Sequence, residues 1–173
     1  RRLEARVHLV TAASTAINNL ISCVEELGIN VDGLVYQPIA SALAALETDE
    51  IDLGVTLVEL GSNTTSVAVY HGSALRHSAT IPIGSASITN DIAVMLQISK
   101  KEAEKIKIDY SSALSSMSSS QLNIKYHSIK ELKDKAISEQ EVSQYVEARM
   151  QEILQMIIRE ISRADIKDPL TYG

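Results

Sequence analysis

The chain has 173 residues, enough for one ordinary domain or for a compact domain with a small lobe, and 45% of them are apolar although Phe and Trp are absent. Its formal net charge is −6, with Lys and Arg spread along the sequence, so a nucleic-acid partner is disfavoured. No stretch approaches the ~20 consecutive apolar residues of a membrane-spanning helix, and no signal-peptide pattern follows the first two arginines.

A single cysteine, Cys23, fits a protein of a reducing cytoplasm. Because Cys23 falls on the apolar stripe of a predicted helix, we expect a buried structural thiol there and not a nucleophile. Both ends of the sequence read as cut points, since it opens directly on a predicted strand and stops just after a long helix. We therefore expect a fragment of a longer protein.

The first part of the chain alternates strands and helices. Residues 5–12, ARVHLVTA, predict a strand, and the segment from Ser14 to a terminating Gly28 predicts an amphipathic helix. One buried stripe is expected along that helix: Ile17, Leu20, Ile21, Val24 and Leu27. Residues 29–37 read as another strand, and Pro38 then opens an alanine-rich helix. This alternation indicates an α/β layer.

Three closely spaced strands follow, in GVTLVEL, TTSVAVYHG and SALRHSATIPI. Turns at residues 62–63 and 71–72 connect them, which predicts an antiparallel meander. The next segment, SASITNDIAVML, predicts a helix for which Thr89 or Asn90 is expected to act as the cap.

Two capping boxes mark helix starts in the second half: Ser99 with Glu102, and Ser138 with Glu141. Between those helices, residues 111–120, SSALSSMSSS, read as a Ser-rich linker, and QLNIKYHSI reads as a strand. An apolar stripe runs along the last and longest helix: Val142, Val146, Met150, Ile153, Ile157 and Ile161. We expect this helix to pack across a small lobe.

The segment LVELGSNTTSVAVY, residues 57–70, carries the main functional hint. A tight turn after Gly61 can present successive backbone N–H groups to an anion, and Thr64 and Thr65 can add hydroxyl donors. Glu59, at the end of the preceding strand, could hold a hydrated cation beside the phosphates. A plain hairpin turn is the alternative, and on these residues alone both interpretations stay open.

The order of YQPIASALAAL, VELGSNTTSVAVY, IPIGSASITNDIA and KEAEKIK resembles the actin and heat-shock chaperone ATPase superfamily. RLEARVHLVTA, GSALRHSATIPIG, ITNDIA and EAEKIK are similar to the bacterial cell-division FtsA family, over nearly the whole chain. The resemblance implies an α/β fold: half of an actin-like (ribonuclease H-like) ATPase, with a mixed sheet, flanking helices and part of a smaller α/β lobe. It implies a 2A-like core subdomain in residues 1–97, including the first strand, and a truncated 2B-like lobe in residues 98–173.

The resemblance also implies a second phosphate turn over residues 59–66, where the family has Asp, an aliphatic residue, three Gly, Thr, Thr and Asp. This chain has different residues at four of the eight positions: Glu59, Ser62, Asn63 and Ser66, beside Leu60, Gly61, Thr64 and Thr65. Glu59 keeps the negative charge. Ser62 and Asn63 add side chains where glycine leaves room for phosphates, and we expect them to disfavour any positive φ.

Further positions carry family roles by resemblance. Gln37 matches a residue that positions the attacking water, Glu59 would hold Mg²⁺ through water, and Glu104 with Lys107 match an adenosine-contacting Glu-x-x-Lys. ATP and Mg²⁺ are thus the implied cofactors. The family's first phosphate turn and last glycine-rich turn lie outside this chain, so we expect at most weak ATPase activity in the full-length protein and none in the fragment. The alternatives are a solvated ion pair for Glu104 and Lys107 and an ordinary helix-start residue for Gln37.

By the same resemblance, the protein is an adaptor at the cytoplasmic face of the cell membrane at the division site. It would bind the C-terminal tail of FtsZ through the smaller lobe, self-associate into filaments and contact other division proteins. The membrane would be reached through an amphipathic helix outside this chain.

Three functions are weighed. The first is the ATP-gated, polymerising adaptor, and the second is a degenerate relative that keeps the fold and the protein contacts but has lost nucleotide. The third, a sugar or acetate kinase of the same superfold, ranks last because no catalytic carboxylate or substrate pocket for it is found in the sequence.

Overall fold

The computed structural model describes residues 2–4, 7–164 and 166. They form two units: one contains the described residues up to Leu57 with Ala68–Ser78 and Ile166, and the other contains Val58–Val67 with residues 79–164. None of the helices in the described ranges is long and apolar enough to cross a membrane. The predicted division into subdomains at residue 97 stays a prediction.

Three helices belong to the first unit: α1 Ser14–Glu25, α2 Gln37–Ala45 and α3 Thr48–Leu53. Helix α2 begins as predicted, with Pro38 in its first turn, where its missing N–H costs no hydrogen bond. Helix α3 was not predicted. A capping box between Glu47 and Glu50 opens it, and because Glu is an uncommon N-cap residue, the sequence pattern gives little warning of this helix.

The predicted three-stranded meander is confirmed, with strands β1 Val55–Leu60, β2 Thr65–His71 and β3 Ala74–Ile81 in the order β1-β2-β3. The second turn lies at Gly72 and Ser73, one residue later than predicted, since His71 still belongs to β2. Both turn residues have positive φ, at +57° and +56°, the backbone of a type I′ hairpin turn. The core of the first unit is built on these strands and α2: Ala42, Val55, Ala68 and Tyr70, with Leu46, Ile51, Leu57 and Leu75 packed around them.

The second unit holds the remaining elements: α4 Ser85–Leu96, α5 Lys100–Tyr110, a 3-10 turn at Ser115–Met117, β4 Asn123–Ser128, β5 Lys133–Ser138 and α6 Glu139–Ser162. Strands β4 and β5 pair antiparallel from Asn123↔Ser138 to Ser128↔Lys133. Their apolar residues pack with the three helices into one core: Ile88, Ile92, Leu96, Ile98, Ala103, Ile106, Ile124, Ile137, Val142 and Val146.

Both predicted caps of the second half begin a helix. Ser138 and Glu141 form the complete capping box at the start of α6, with each side chain bonded to the other residue's backbone N–H. At α5 only half of the box forms, because Ser99 accepts from the Glu102 N–H without a return bond. The apolar stripe of α6 is buried over most of its length, which confirms that this helix packs across the unit.

Two predicted strands are wrong. Residues 7–12 lie outside any strand, with Val7 and Leu9 74% and 80% exposed, and residues 29–36 are irregular. Ala5 and Arg6, at the start of the first prediction, lie outside the described residues. A strand is stabilised by its ladder with a neighbour, and no described segment pairs with either stretch, so apolar, β-prone residues alone do not make one.

Helix α1 forms and ends before Gly28 (φ +76°) as predicted, but its expected buried stripe is wrong. None of its residues is buried, and Leu20 is 61% exposed. Cys23 is exposed, which corrects the prediction of a buried thiol. With a rotation of about 100° per residue, Cys23 lies roughly 100° around the helix from the centre of the apolar face that Ile17, Leu20, Ile21, Val24 and Leu27 form. Cys23 is therefore at the side of the predicted stripe and not within it.

Candidate functional site

The turn between β1 and β2, residues 61–64, is closed by its own backbone. The Gly61 N–H donates to the Thr64 carbonyl at 2.9 Å, and all four residues are exposed. Ser62 and Asn63 both keep negative φ, so the turn as built does not demand glycine at these positions. The expectation that their side chains conflict with a positive φ therefore does not apply, and only their volume could matter to a ligand.

The carbonyls of this turn face the start of α4. The Ser85 N–H donates to the Gly61 carbonyl at 2.9 Å, and the Ala86 N–H donates to the Ser62 carbonyl at 2.8 Å. In a trans peptide the C=O and the following N–H point in opposite directions. The N–H groups of Ser62 and Asn63 therefore point away from α4, and two successive outward N–H groups are what an anion needs from a turn.

Glycine is required where the turn meets α4. A Cβ on Gly84 would lie 2.5 Å from the carbonyl oxygens of Gly61 and Ser62, closer than any real contact. A Cβ on Gly61 would lie 2.9 Å from the Thr64 carbonyl oxygen. Gly84 thus allows the close backbone approach that holds the turn on the helix, and Gly61 allows the turn itself to close.

The Thr65 side chain is buried beneath the turn, and its hydroxyl bonds the protein backbone. It is fully buried, and its hydroxyl donates to the Ile83 carbonyl at 2.7 Å. This bond ties the first residue of β2 to the segment before α4. To contact a phosphate, Thr65 would have to exchange that acceptor, whereas Thr64 is already exposed.

On the other side of Ser85 lies the predicted pair of α5. Lys107 Nζ is 2.9 Å from Glu104 Oε2, 3.0 Å from Thr89 Oγ1 and 3.5 Å from the Ser85 carbonyl oxygen. The Lys107 side chain is 15% exposed and that of Glu104 is 46% exposed, so the ammonium group is largely shielded while the carboxylate side chain is about half in solvent. Ser85 thus bonds the turn through its N–H and contacts Lys107 of the pair through its carbonyl, which belong to two successive peptide groups.

Hydrogen bonding favours the ionised form of Glu104. The Thr89 hydroxyl donates to Oε2, the Lys107 ammonium adds a second bond and its charge, and together they lower the pKa of the Glu104 carboxyl below its ordinary value. Glu104 is therefore ionised at neutral pH and acts as a hydrogen-bond acceptor.

Thr89 was misassigned from the sequence. Helix α4 begins at Ser85 after Gly84, so Thr89 and Asn90 lie in its second turn and do not cap it. Thr89 is 7% exposed and bonds Glu104, Lys107 and the Ser85 carbonyl. The predicted helix SASITNDIAVML has the observed bounds of α4, and Thr89 lies four residues after its start, which already argued against a capping role.

The other two candidates are placed separately. Glu59 is half-buried near the end of β1, two residues before Gly61 in the second unit. Gln37 is exposed as the first residue of α2 in the first unit. No group of three or more His, Cys, Asp or Glu side chains in the described ranges could hold a metal ion. Glu59 fits Mg²⁺ only as an outer carboxylate, with water and phosphate oxygens as the ligands.

A cavity of about 420 Å³ lies between α4 and α6. An ion pair crosses beside it, with Arg149 Nε 2.6 Å from Asp91 Oδ2 and Nη2 2.9 Å from Oδ1. Val94 and Met95 line the cavity and are 64% and 56% exposed. It combines an apolar wall with a fixed charge pair, features that suit a peptide more than an inorganic ion.

Comparison with known protein families gives one family. The model described as "Cell division protein FtsA" matches residues 56–170, more than half of the chain. The chain belongs to the FtsA family. This confirms the resemblance seen in the sequence motifs.

Curated FtsA proteins are similar over nearly the whole chain. That of Pseudomonas aeruginosa is 38% identical over 172 residues, covering 99% of this chain and 41% of the relative. That of Bacillus subtilis is 34% identical over 167 residues, covering 96% and 38%. The chain thus spans about two fifths of the length of these FtsA relatives.

Solved structures show an actin-like fold, as the sequence predicted. Spiroplasma citri MreB5 bound to ADP matches with a TM-score of 0.73 and 18% identity, over 91% of this chain and 49% of that one. A PilM–PilN type IV pilus biogenesis complex matches with a TM-score of 0.62 and 16% identity, over 87% and 38%. At these identities the likeness concerns the fold alone.

Proposed function

We propose that this chain is part of an actin-like cell-division adaptor that links the FtsZ ring to the cytoplasmic membrane, polymerises, and uses ATP as a conformational ligand. Family membership supports the division role, since the relatives are cell division proteins FtsA. The observation that carries the nucleotide part is Ser85, whose N–H bonds the turn and whose carbonyl contacts Lys107 of the Glu104–Lys107 pair. A ligand with phosphates at one end and hydroxyls at the other suits that arrangement.

The residues of the site have distinct proposed roles. The outward N–H groups of Ser62 and Asn63, with the Thr64 hydroxyl, would bind phosphate oxygens. Glu59 would hold Mg²⁺ through water, and the ion would neutralise phosphate charge. Gln37 would orient water for a slow hydrolysis, so turnover is weak and nucleotide acts by shifting the population of conformations.

A second candidate keeps the fold and the protein contacts without nucleotide. One observation favours it: the N–H groups of Ser85 and Ala86, at the start of α4, already donate to the turn and are not available to a phosphate. The side chains of Ser62 and Asn63 also occupy volume where the family has glycine.

The partners belong to the same proposal. We place the FtsZ C-terminal tail on the smaller lobe, against α6 in the groove between α4 and α6; Val94 and Met95 of α4, which precede the lobe, expose apolar surface on the other side of that groove. Self-association into filaments and contacts with other division proteins would use other faces. The membrane would be reached through an amphipathic helix outside these residues, which would place the protein at the cytoplasmic face of the membrane at the division site.

The deciding experiment is an ATP titration of the full-length protein with Mg²⁺. It is repeated with a variant that restores the family residues, Glu59→Asp with Ser62→Gly and Asn63→Gly. A matched control, Ser73→Gly, makes the same kind of change in the β2–β3 turn. We expect the wild type to bind at micromolar concentration, near −8 kcal/mol, and both variants to bind similarly.

Two other outcomes would reject the nucleotide part. Binding by the restored variant alone would show that Ser62 and Asn63 block the site and would favour the second candidate. No binding by either protein would remove ATP from the proposal altogether.

A further inference from the structure

The ammonium group of Lys107 has three protons and three acceptors. These are Glu104 Oε2, Thr89 Oγ1 and the Ser85 carbonyl oxygen, at 2.9, 3.0 and 3.5 Å. An ammonium group has three N–H donors, so all of them are used. Lys107 could therefore bond a ligand only by releasing one of these partners.

Thr89 is the centre of this cluster. It is 7% exposed, accepts a bond from Lys107, and donates its hydroxyl proton to Glu104 Oε2. The Ser85 carbonyl, at 3.4 Å from Thr89 Oγ1, is the weaker alternative acceptor for the same proton. Because α4 buries Thr89, its oxygen is a fixed point against which the two longer side chains are held.

Glu104 keeps one oxygen for other partners. Oε2 takes both bonds from Thr89 and Lys107, while the side chain as a whole is 46% exposed. Oε1 is therefore the carboxylate oxygen left to accept from a ligand, while the largely shielded Lys107 ammonium already has three acceptors. A ligand that carries hydroxyl groups complements this oxygen.

We propose that Thr89 is a positioning residue that holds Glu104 so that Oε1 accepts from the vicinal hydroxyls of a bound ribonucleotide, with Lys107 behind Glu104 and not on the ligand. The inference rests on the proposed nucleotide binding for the identity of the ligand. It divides the roles of the α5 pair: Glu104 contacts the sugar and Lys107 supports Glu104.

Two substitutions separate positioning from simple packing. Thr89→Val has the same shape but no hydroxyl, and leaves Glu104 and Lys107 without their shared partner. Thr89→Ser keeps the hydroxyl and loses one methyl group. If Thr89 only fills space, Val should behave like the wild type and Ser should be the damaging change.

The main measurement compares Kd for ATP with Kd for 2′,3′-dideoxy-ATP in full-length protein. We expect the wild type and Thr89→Ser to prefer ATP by about tenfold, the usual value of one hydrogen bond to a charged group. We expect Thr89→Val to bind both nucleotides almost equally. An unchanged preference in Thr89→Val would overturn the inference even though ATP binds.

A second measurement does not need nucleotide. NMR titration of the ¹³C-labelled Glu104 carboxyl should give a lowered pKa in the wild type and in Thr89→Ser, and a pKa nearer the ordinary value in Thr89→Val. If the wild type binds no ATP but this shift is seen, the proposed nucleotide function fails while the positioning of Glu104 by Thr89 stands. If Thr89→Val leaves the titration unchanged, the positioning itself is wrong.

Discussion

At the scale of single residues, backbone groups do much of the work in the second unit. Ser85 joins the turn to the Glu104–Lys107 pair through its N–H and its carbonyl, and its side chain is not needed for either contact. The approach that makes this possible depends on Gly84, whose missing side chain leaves room for the carbonyls of Gly61 and Ser62.

Gly84→Ala should therefore destabilise the protein. The backbone at Gly84 is extended, so alanine suffers no φ strain and the whole effect comes from the 2.5 Å contacts with two carbonyl oxygens. Overpacking of this kind costs about 2 kcal/mol. The free energy of unfolding from urea denaturation is the measurement.

Gly33→Ala is the matched control, because a Cβ there has nothing within 4 Å. It should be neutral or slightly stabilising, since alanine restricts the unfolded chain. Equal stability of the two variants would mean that the turn does not pack on α4 as closely as described.

The sequence predicts some residues of the site and not others, for a physical reason. Glu104 and Lys107 are three apart on a well-capped helix, so local spacing is enough to bring them together. Thr89 joins them from another helix, and although the extent of α4 was predicted, the packing of α4 on α5 that brings Thr89 to Glu104 and Lys107 is a contact between distant residues that no local pattern displays.

At the scale of elements, the Ser-rich segment 111–120 is more than a linker. The Ser112 N–H donates to Ser143 Oγ of α6 at 3.0 Å, and Ser118 Oγ lies 2.7 Å from the same oxygen. The N–H groups of Ser115 and Ser119 donate to carboxylates of α6: Glu147 and Glu139. The small side chains let this backbone lie close to the helix, which a composition-based reading does not reveal.

Ser143→Ala should loosen that segment. Ser143 is fully buried and is the shared partner of Ser112 and Ser118, so its loss leaves a partly buried N–H unsatisfied at a cost of about 1 kcal/mol. Amide hydrogen exchange over residues 112–119 should become faster, with α6 itself unchanged.

The control for that experiment is Ser116→Ala, an exposed change in the same segment. It should leave the exchange rates as they are. If Ser143→Ala also leaves them unchanged, the segment is held by Glu139 and Glu147 alone.

Elements with local determinants were predicted well. The box that opens α6 and the turns of the meander depend on residues within a few positions of one another. Strand β5 was missed because its first residues, Lys133 and Asp134, are poor strand formers, and pairing with β4 decides its conformation. The strand prediction for residues 7–12 was wrong for the opposite reason: these residues have strand propensity, but no described strand pairs with them.

At the scale of the whole molecule, family membership says more about function than any one residue does. The chain covers 41% of the Pseudomonas aeruginosa relative, so the activity of the whole protein is stated only as a proposal. A direct experiment on this chain can test whether it carries the proposed binding surface for the FtsZ tail.

Replacing residues 98–165 with the equivalent segment of Spiroplasma citri MreB5 should abolish binding of the FtsZ tail peptide. The actin-like fold would be kept, since the two structures match with a TM-score of 0.73, while α6, which forms one side of the groove, would be replaced and Val94 and Met95 on α4 would remain. Fluorescence anisotropy of a labelled tail peptide measures the change. Unchanged affinity of the chimera would reject tail binding by this lobe.

A point substitution narrows the location. Val94→Glu puts a charge into the groove between α4 and α6 and should weaken the peptide at least tenfold, because apolar contact surface is lost. Ile108→Glu, a 70% exposed position on α5 outside that groove, is the control and should bind normally.

The exposed position of Cys23 has a practical consequence. It is the only cysteine in the 173 residues and is exposed on α1 in the first unit, where Gln37 alone of the residues assigned to the nucleotide or the peptide also lies. A maleimide dye would therefore attach to this chain at one defined place without an engineered mutation. The natural sequence already supplies a single-site optical label.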